Sequence, residues 1–463
     1  MSLNLAVDLV PLTPGPPPEH PLSWNQARKT PRTEYLRTMP LAIYTQPFHV
    51  AGGFFFKTLM VNNPEGAKRV LLDNVANYPK TDLEKRFFSM IFGNGLLSSD
   101  GEVWRTHRRT MAPAFDPRSV ASYAPSMAAT AQAFAQRWRN LPDGHVIDVA
   151  EDMLKVTLQI IAGTMFSTDT DEIIDEVATT LHSAGLIRPS LAEFLPVVGE
   201  YFLREHEKKI AKSFARLDGL VERFISEREA QMQAGGAPND LLGRLIAAKD
   251  AETGVAMTPR EVRDQMLTIF LAGHETTATA LTWAWYVLAE RPAEAAKLHA
   301  ELDAVLQGRP PTFDDVPRLP YARAVIDEVL RLYPAAPMLS ARQAVADDVV
   351  AGRKIKAGDL ISVSPWVLNR HRDLWDDPEA FNPDRFLSGN TERPRFAYIP
   401  FGAGPRICIG MQLALTEAVM LLATLAQAFR LERADSQPVR LRHQITLRPE
   451  GGLNMRVFRR TSV

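Results

Sequence analysis

The chain has a single cysteine, Cys408, among 463 residues. An intramolecular disulfide is therefore excluded. The composition suits a reducing compartment, and we expect a cytoplasmic protein. Charge of neither sign is in excess: 53 basic residues stand against 54 acidic ones, for a formal net charge of -1. A dedicated binder of nucleic acid or anionic membranes carries a strongly basic balance, so no nucleic-acid partner is expected. Long apolar runs are missing at the N-terminus. Residues 1–10 hold Asn4 and Asp8 and are too few to span a bilayer. They have neither the basic start nor the cleavage site of a signal peptide, so no stable membrane anchor is expected. Repeats, low-complexity tracts and Gly/Ser linkers are absent as well. A length prior of roughly 150 residues per domain suggests about three domains, yet nothing in the composition divides the chain. We expect a Pro-rich segment over residues 1–40, then one unit over 41–463 large enough to enclose a bulky group.

What is present is mostly helical punctuation. Residues 43–61 carry aromatic and branched side chains around Gly52-Gly53 and read as a β-hairpin. Asn63 and Pro64 open a helix, as cap and first-turn residue. From about residue 117 to 308 the pattern is mainly helical, with one charged helix over about 200–232 that ends at Gly235-Gly236. Thr258-Pro259-Arg260-Glu261 reads as a capping box. No proline interrupts the pattern after it until Pro292, which gives about 33 residues or roughly 50 Å. A helix over 320–333 stops at Pro334. Short strands follow near 342, 355 and 360–364. Cys408 is expected to open an apolar helix reaching about Phe429, and residues 445–457 alternate like a hairpin around Gly451-Gly452. The fold class is mainly α with small β-sheets.

Three strings carry chemistry. The first is Phe401-Gly402-Ala403-Gly404-Pro405-Arg406-Ile407-Cys408-Ile409-Gly410. A lone cysteine is by default a small buried hydrophobe. Here it stands where a helix begins, and the helix dipole and free N–H groups there favour a thiolate. Three glycines allow the backbone to approach something large and flat. Phe401 gives an apolar shield, and Arg406 a fixed positive charge for an acidic edge. A cysteine hydrolase is a competing reading, but it needs a positioned histidine base, and no feature marks one. The second string is Ala272-Gly273-His274-Glu275-Thr276-Thr277, within the long helix. It is either a solvated face or a costly buried acid with partners. His274-Glu275 also begins like a zinc-protease motif, but Ala278 takes the place of the second histidine and the ligand count fails. The third is Glu328 with Arg331, at i and i+3 on one helix face, which alone reads as a solvated ion pair.

Together these strings fit F-x-x-G-x-R-x-C-x-G, A-G-x-E-T-T and E-x-x-R. Pro383-Asp384-Arg385-Phe386 fits a P-E-R-F-type segment with Asp in place of Glu, and Trp104 with Arg108 fits W-x-x-x-R. In this order the chain resembles the cytochrome P-450 family over nearly its whole length. The motif layout is most similar to the bacterial fatty-acid-hydroxylase-like and microsomal-type branch. The resemblance implies a triangular helical prism around heme b, with Cys408 as the proximal iron ligand. A thiolate in that position favours O–O cleavage. By the same resemblance Trp104, Arg108, Arg342 and Arg406 meet the acidic edge of the cofactor, and Phe401, Gly410 and Ala272 also belong to its binding set. Thr276 and Glu275 are the alcohol and acid that manage protons for oxygen activation. Glu328, Arg331 and Arg385 form a buried structural network that holds the loop before Cys408. Leu97, Ala336, Met338 and Ile445 line, with Ala272, an apolar cavity for a lipophilic small molecule. Residues 184–198 look like a lid.

The implied activity is insertion of one atom of dioxygen into that substrate. No flavin or ferredoxin module is read in the chain, so electrons are expected from a separate ferredoxin or flavodoxin with a NAD(P)H-dependent reductase. Arg105 and Arg109 flank Arg108 and read either as a docking site for an acidic redox partner or as plain surface charges. Two alternatives stand beside the monooxygenase. One is a peroxide-using or rearranging enzyme on the same fold, which often lacks the Glu275–Thr276 pair. The other is a non-catalytic heme-binding protein, which needs neither that pair nor the cavity.

Overall fold

Local capping rules set the helices. Thr258 N–H donates to Glu261 Oε2 at 2.7 Å, and Glu261 N–H donates back to Thr258 Oγ1 at 3.3 Å. This reciprocal box satisfies donors that the first turn leaves open. The helix it starts, Pro259–Glu290, runs 32 residues without a break. Asn63 caps Pro64–Lys68 by accepting from Gly66 N–H. The computed structural model describes residues 12–21, 30, 32–52, 57–167, 176–177, 180, 199–389 and 393–460. The expected lid, 184–198, lies outside the described residues.

The described chain forms two compact units, neither continuous in sequence. The first takes residues 1–78, 127–157 and 275–463. It holds a four-stranded sheet in the order Phe48–Gly52, Lys57–Val61, Leu360–Val363, Arg342–Gln343. The hairpin expected over 43–61 is the antiparallel pair Phe48–Gly52 and Lys57–Val61, with Phe48 opposite Val61. Lys57–Val61 then pairs in parallel with Leu360–Val363. Val61, Val70, Tyr78, Ile361 and Leu368 pack into one buried cluster against this sheet. The helices Pro320–Leu332 and Met411–Ala426 belong to the same unit, and thirteen of the sixteen residues of the second are buried. The second unit takes residues 79–126 and 158–274. It contains the helices Asp82–Phe92, Gly101–Met111 and Gly199–Gln233. Pro259–Glu290 supplies residues to both units.

Two sequence expectations need correction. Residues 445–457 do not form one hairpin. Leu447–Pro449 pairs with Leu441–His443, whereas Asn454–Arg459 pairs with His145–Asp148 and Phe429–Arg433. Alternation shows which faces of a strand are alike, not which strand it pairs with. The Gly451-Gly452 turn hands the chain from one sheet to the other. A Cβ on Gly452 would come within 2.1 Å of the Asp148 carboxylate, so only glycine brings the strand in this close. Cys408 also does not open the apolar helix itself. The helix is Met411–Ala426, and Phe429 starts a strand.

Candidate active site

Backbone bonds fix the main chain at Cys408. Its N–H donates to Phe401 O at 2.9 Å, and Ile407 N–H donates to Gly404 O at 3.1 Å. Gly402 and Gly404 take φ of 73° and 68°, a region that glycine enters at little cost. The glycines do not share one purpose, contrary to the sequence reading. A Cβ on Gly404 would lie 1.9 Å from Leu71 O, so this residue is required by the adjoining turn Arg69–Asp73. A Cβ on Gly410 would instead meet Cys408 Sγ, at 4.0 Å. The thiol is exposed, which removes the default reading of a small buried hydrophobe. Phe401 and Arg406 are partly exposed on the same loop. An accessible thiol held by backbone bonds suits a soft donor to iron.

The long helix shows where it is open. Every residue from 264 to 288 is buried except Ala272, Gly273, Glu275 and Thr276. Ala272 and Thr276 are one turn apart on one face, and Thr277 beside them is buried. Small residues at 272 and 273 therefore leave room on this helix exactly beside an alcohol and an acid. That opening fits the close approach of a flat cofactor and a small reactant. His274 does not join it: its Nδ1–H donates to Phe270 O at 2.9 Å, and the ring is buried.

Glu275 has partners that the sequence reading missed. Thr446 Oγ1 donates to Glu275 Oε1, and Arg448 pairs with the same oxygen, through Nε at 3.0 Å and also through Nη2. Thr446 directly precedes the strand Leu447–Pro449, and Arg448 lies two residues on, within it. That spacing was the available signal, although it names no partner 173 residues away.

Of the expected cavity residues, Leu97, Ala336 and Met338 are partly exposed and Ile445 is 56% exposed. Leu97 sits on a loop tied to the long helix. Asn94 N–H donates to Asp264 at 2.8 Å, Leu96 N–H donates to Gln265 Oε1 at 3.0 Å, and Lys80 Nζ donates to Leu97 O. A Cβ on Gly95 would fall 1.9 Å from Thr268 Oγ1, so this loop needs its glycine. Ala336 and Met338 follow Ala335, whose carbonyl accepts from Leu447 N–H at 3.1 Å. Trp104 and Arg108, on Gly101–Met111, are partly exposed, and Arg342 is buried on its edge strand. The flanking arginines are engaged locally. Arg105 Nη2 donates to Glu102 at 2.6 Å, and Arg109 grips Asp250 at 2.6 and 2.9 Å and meets Glu252 at 2.9 Å.

Glu328 and Arg331 are not a solvated pair. Both side chains are fully buried, with Arg331 Nε 2.6 Å from Glu328 Oε2 and Nη2 2.7 Å from Oε1. Arg331 also donates to Asn369 O, Pro378 O and Ala380 O. Glu328 accepts from Asn382 N–H at 2.8 Å, and Arg385 Nε lies 3.5 Å from it. These bonds bind residues 369–385 to Pro320–Leu332.

A second buried acid lies on the helix after Cys408. Glu417 is buried, and its Oε1 has no hydrogen-bond partner among the described residues. Burial pushes its carboxyl up to about 8 from an ordinary 4.5. The folded state therefore holds a proton that the unfolded state releases. This stability is fully present below about pH 4.5, falls as pH rises, and is gone above about pH 8. Glu417→Gln should flatten that slope and raise stability at neutral pH. Urea midpoints at several pH values check this, and parallel slopes in both proteins would refute it.

A family model described as Cytochrome P450 matches residues 14–455. A cyclooctatin synthase of Streptomyces melanosporofaciens is 36% identical over 394 residues, covering 83% of each chain. A cyclooctat-9-en-7-ol 5-monooxygenase of the same organism is 36% identical over 378 residues, covering 80% of this chain and 79% of its own. A crystal structure of the cytochrome P450DA heme domain has TM-score 0.82 at 27% identity, covering 96% of this chain and 97% of that one. No helix among the described residues is long and apolar enough to cross a membrane. Matched in sequence from residue 14 to 455 and in fold along almost its full length, the chain belongs to the cytochrome P450 family: it is an oxidoreductase, a monooxygenase whose cofactor is heme b.

Proposed function

We propose that this monooxygenase hydroxylates a lipophilic small molecule in the cytoplasm, with electrons from a separate ferredoxin or flavodoxin and its NAD(P)H-dependent reductase. One observation carries the reading: the only open stretch of a helix buried from 264 to 288 is Ala272, Gly273, Glu275 and Thr276. A carrier of heme without oxygen chemistry has no use for an acid and an alcohol there. When bound, the heme supplies the redox centre at which dioxygen is split, and a thiolate ligand favours that cleavage.

The chain's own residues do the rest. Cys408 holds the cofactor through its thiolate, three residues before the helix Met411–Ala426. Arg108, Arg342 and Arg406, with Trp104, hold its carboxylates through charge-assisted bonds. Phe401 keeps water from the sulfur. Ala272 and Gly273 keep the helix thin at the reaction site. Thr276 orients a proton donor, and Glu275 links it to solvent. Leu97, Ala336, Met338 and Ile445 give the substrate apolar walls. The relatives' names print substrates such as cyclooctat-9-en-7-ol and pentalenene, and a mostly hydrocarbon substrate suits this chain as well.

The Thr276→Ala variant tests the reading. It removes one hydroxyl, worth about 1 kcal/mol to stability, so fold, heme content and ligand binding should persist. Proton delivery is the loss, and product per nicotinamide cofactor should fall on the order of tenfold while hydrogen peroxide rises. Thr277→Ala, about 100° further round the helix and buried, should change the ratio far less. The assay is product and peroxide per cofactor oxidised, with a lipophilic compound selected by its binding-difference spectrum. Unchanged coupling in Thr276→Ala would overturn the acid–alcohol assignment.

A further inference from the structure

Glu275 is 20% exposed and sits at the open stretch of the long helix, yet its nearest partners come from the far end of the chain. Thr446 and Arg448 both bond Oε1. Arg448 Nε also reaches Thr446 Oγ1, at 3.3 Å, so the three side chains form one closed cluster. Arg448 is 39% exposed, and the cluster reaches from the helix to solvent.

Leu447, between the two partners, fixes the cluster in place. Its side chain is buried. Its N–H donates to Ala335 O at 3.1 Å, and its carbonyl accepts from Trp283 Nε1 at 2.7 Å. Thr446, just before the strand Leu447–Pro449, and Arg448, within it, both reach Glu275. The strand pairs with Leu441–His443, with His443 opposite Leu447. The pair's turn is tight, with Gln444 N–H bonded to Thr446 O at 3.2 Å.

An acid that passes protons must be held in one rotamer, and the oxygen facing the relay must be kept clear. Spending Oε1 on two fixed donors does both. We propose that Thr446 and Arg448 are positioning residues for Glu275: they hold one carboxylate oxygen, fix the side chain and leave the other oxygen to exchange protons. The proposal rests on the reading of Glu275 as the acid of the relay. It assigns work to a hairpin that no motif marks, and the tip of that hairpin carries Ile445 next to Thr446.

The test uses the heme-loaded enzyme with an added ferredoxin and reductase, and dodecanoic acid as the lipophilic probe. The readout is the share of consumed dioxygen released as hydrogen peroxide, beside kcat and KM. Arg448→Met and Thr446→Val should raise that share several-fold with KM unchanged. Arg448→Lys, which keeps the charge, should recover most of the loss. Arg448→Met placed on Glu275→Gln should add nothing to the effect of Glu275→Gln alone. A second readout needs no turnover. Amide hydrogen exchange over residues 444–448 should speed up alike in Glu275→Gln and Arg448→Met, because each breaks the same contact. If Glu275→Gln raises peroxide and Arg448→Met does not, the positioning role is wrong while the acid stands. If Glu275→Gln itself leaves peroxide unchanged, the acid reading fails. Unchanged exchange in both variants would overturn the contact.

Discussion

A Cys408→His protein should lose the red-shifted absorption band of its reduced carbon-monoxide adduct, and with it all hydroxylation. The prediction is sharp because backbone bonds hold the cysteine loop. The Cys408 N–H to Phe401 O bond and the Ile407 N–H to Gly404 O bond are both backbone bonds, and Gly404 is locked against Leu71. A large loss of stability is therefore not expected, and circular dichroism should find the helices intact. What changes is the donor: a neutral imidazole does not push electron density as a thiolate does. The measurement is the carbon-monoxide difference spectrum of the reduced protein at matched heme content. A histidine-type spectrum in the unmutated protein, or a retained thiolate band in the variant, would refute Cys408 as the ligand.

What could be read from the sequence was local. The capping box at Thr258 and Glu261 needs only three residues of separation, and it formed as read. The pair Glu328–Arg331 was visible because i and i+3 meet on a helix. Whether that pair lay in water or in the core was not visible, since burial depends on what packs over the face. Only the family resemblance pointed inward, and both side chains are fully buried. The open stretch at 272–276 was legible as a string of small and polar residues in an apolar helix. Its boundaries needed the structure, which buries Thr277 and leaves Thr276 partly open.

What escaped was pairing at long range. Arg109 finds Asp250, 141 residues on, and Arg448 finds Glu275, 173 residues back. A charge in a sequence carries no mark of its partner. The strand Asn454–Arg459 could be seen to alternate, but its neighbours His145–Asp148 and Phe429–Arg433 lie outside any local window. Gly404 was read as making room for a cofactor, because a glycine reports that something is close and not what it is. That something is the carbonyl of Leu71.

Arg331→Ala should be the most destabilising single change in the chain. The guanidinium is fully buried and makes two bonds to Glu328 and three to backbone carbonyls. It also lies 5.0 Å from the centre of the Trp375 ring. Its removal leaves the Glu328 carboxylate buried, with Asn382 N–H and the more distant Arg385 as remaining partners. Breaking a buried pair in this way costs about 3–5 kcal/mol, a large part of the 5–15 kcal/mol, roughly, that holds a folded protein together. The loss should fall on residues 369–385, whose carbonyls Arg331 ties to the helix, and so on the chain that leads into the cysteine loop. Purified yield and heme per protein should drop together, and the urea midpoint should move down. Arg331→Lys should not rescue, since an ammonium cannot match the planar fork that meets two carboxylate oxygens and three carbonyls at once. Arg331→Met combined with Glu328→Gln should recover part of the midpoint, because the stranded charge is then gone. Arg385→Ala should cost much less, its Nε being 3.5 Å from Glu328 and its side chain 13% exposed. An unshifted midpoint in Arg331→Ala, or an equal loss in Arg385→Ala, would show that the buried pair is not what holds this segment.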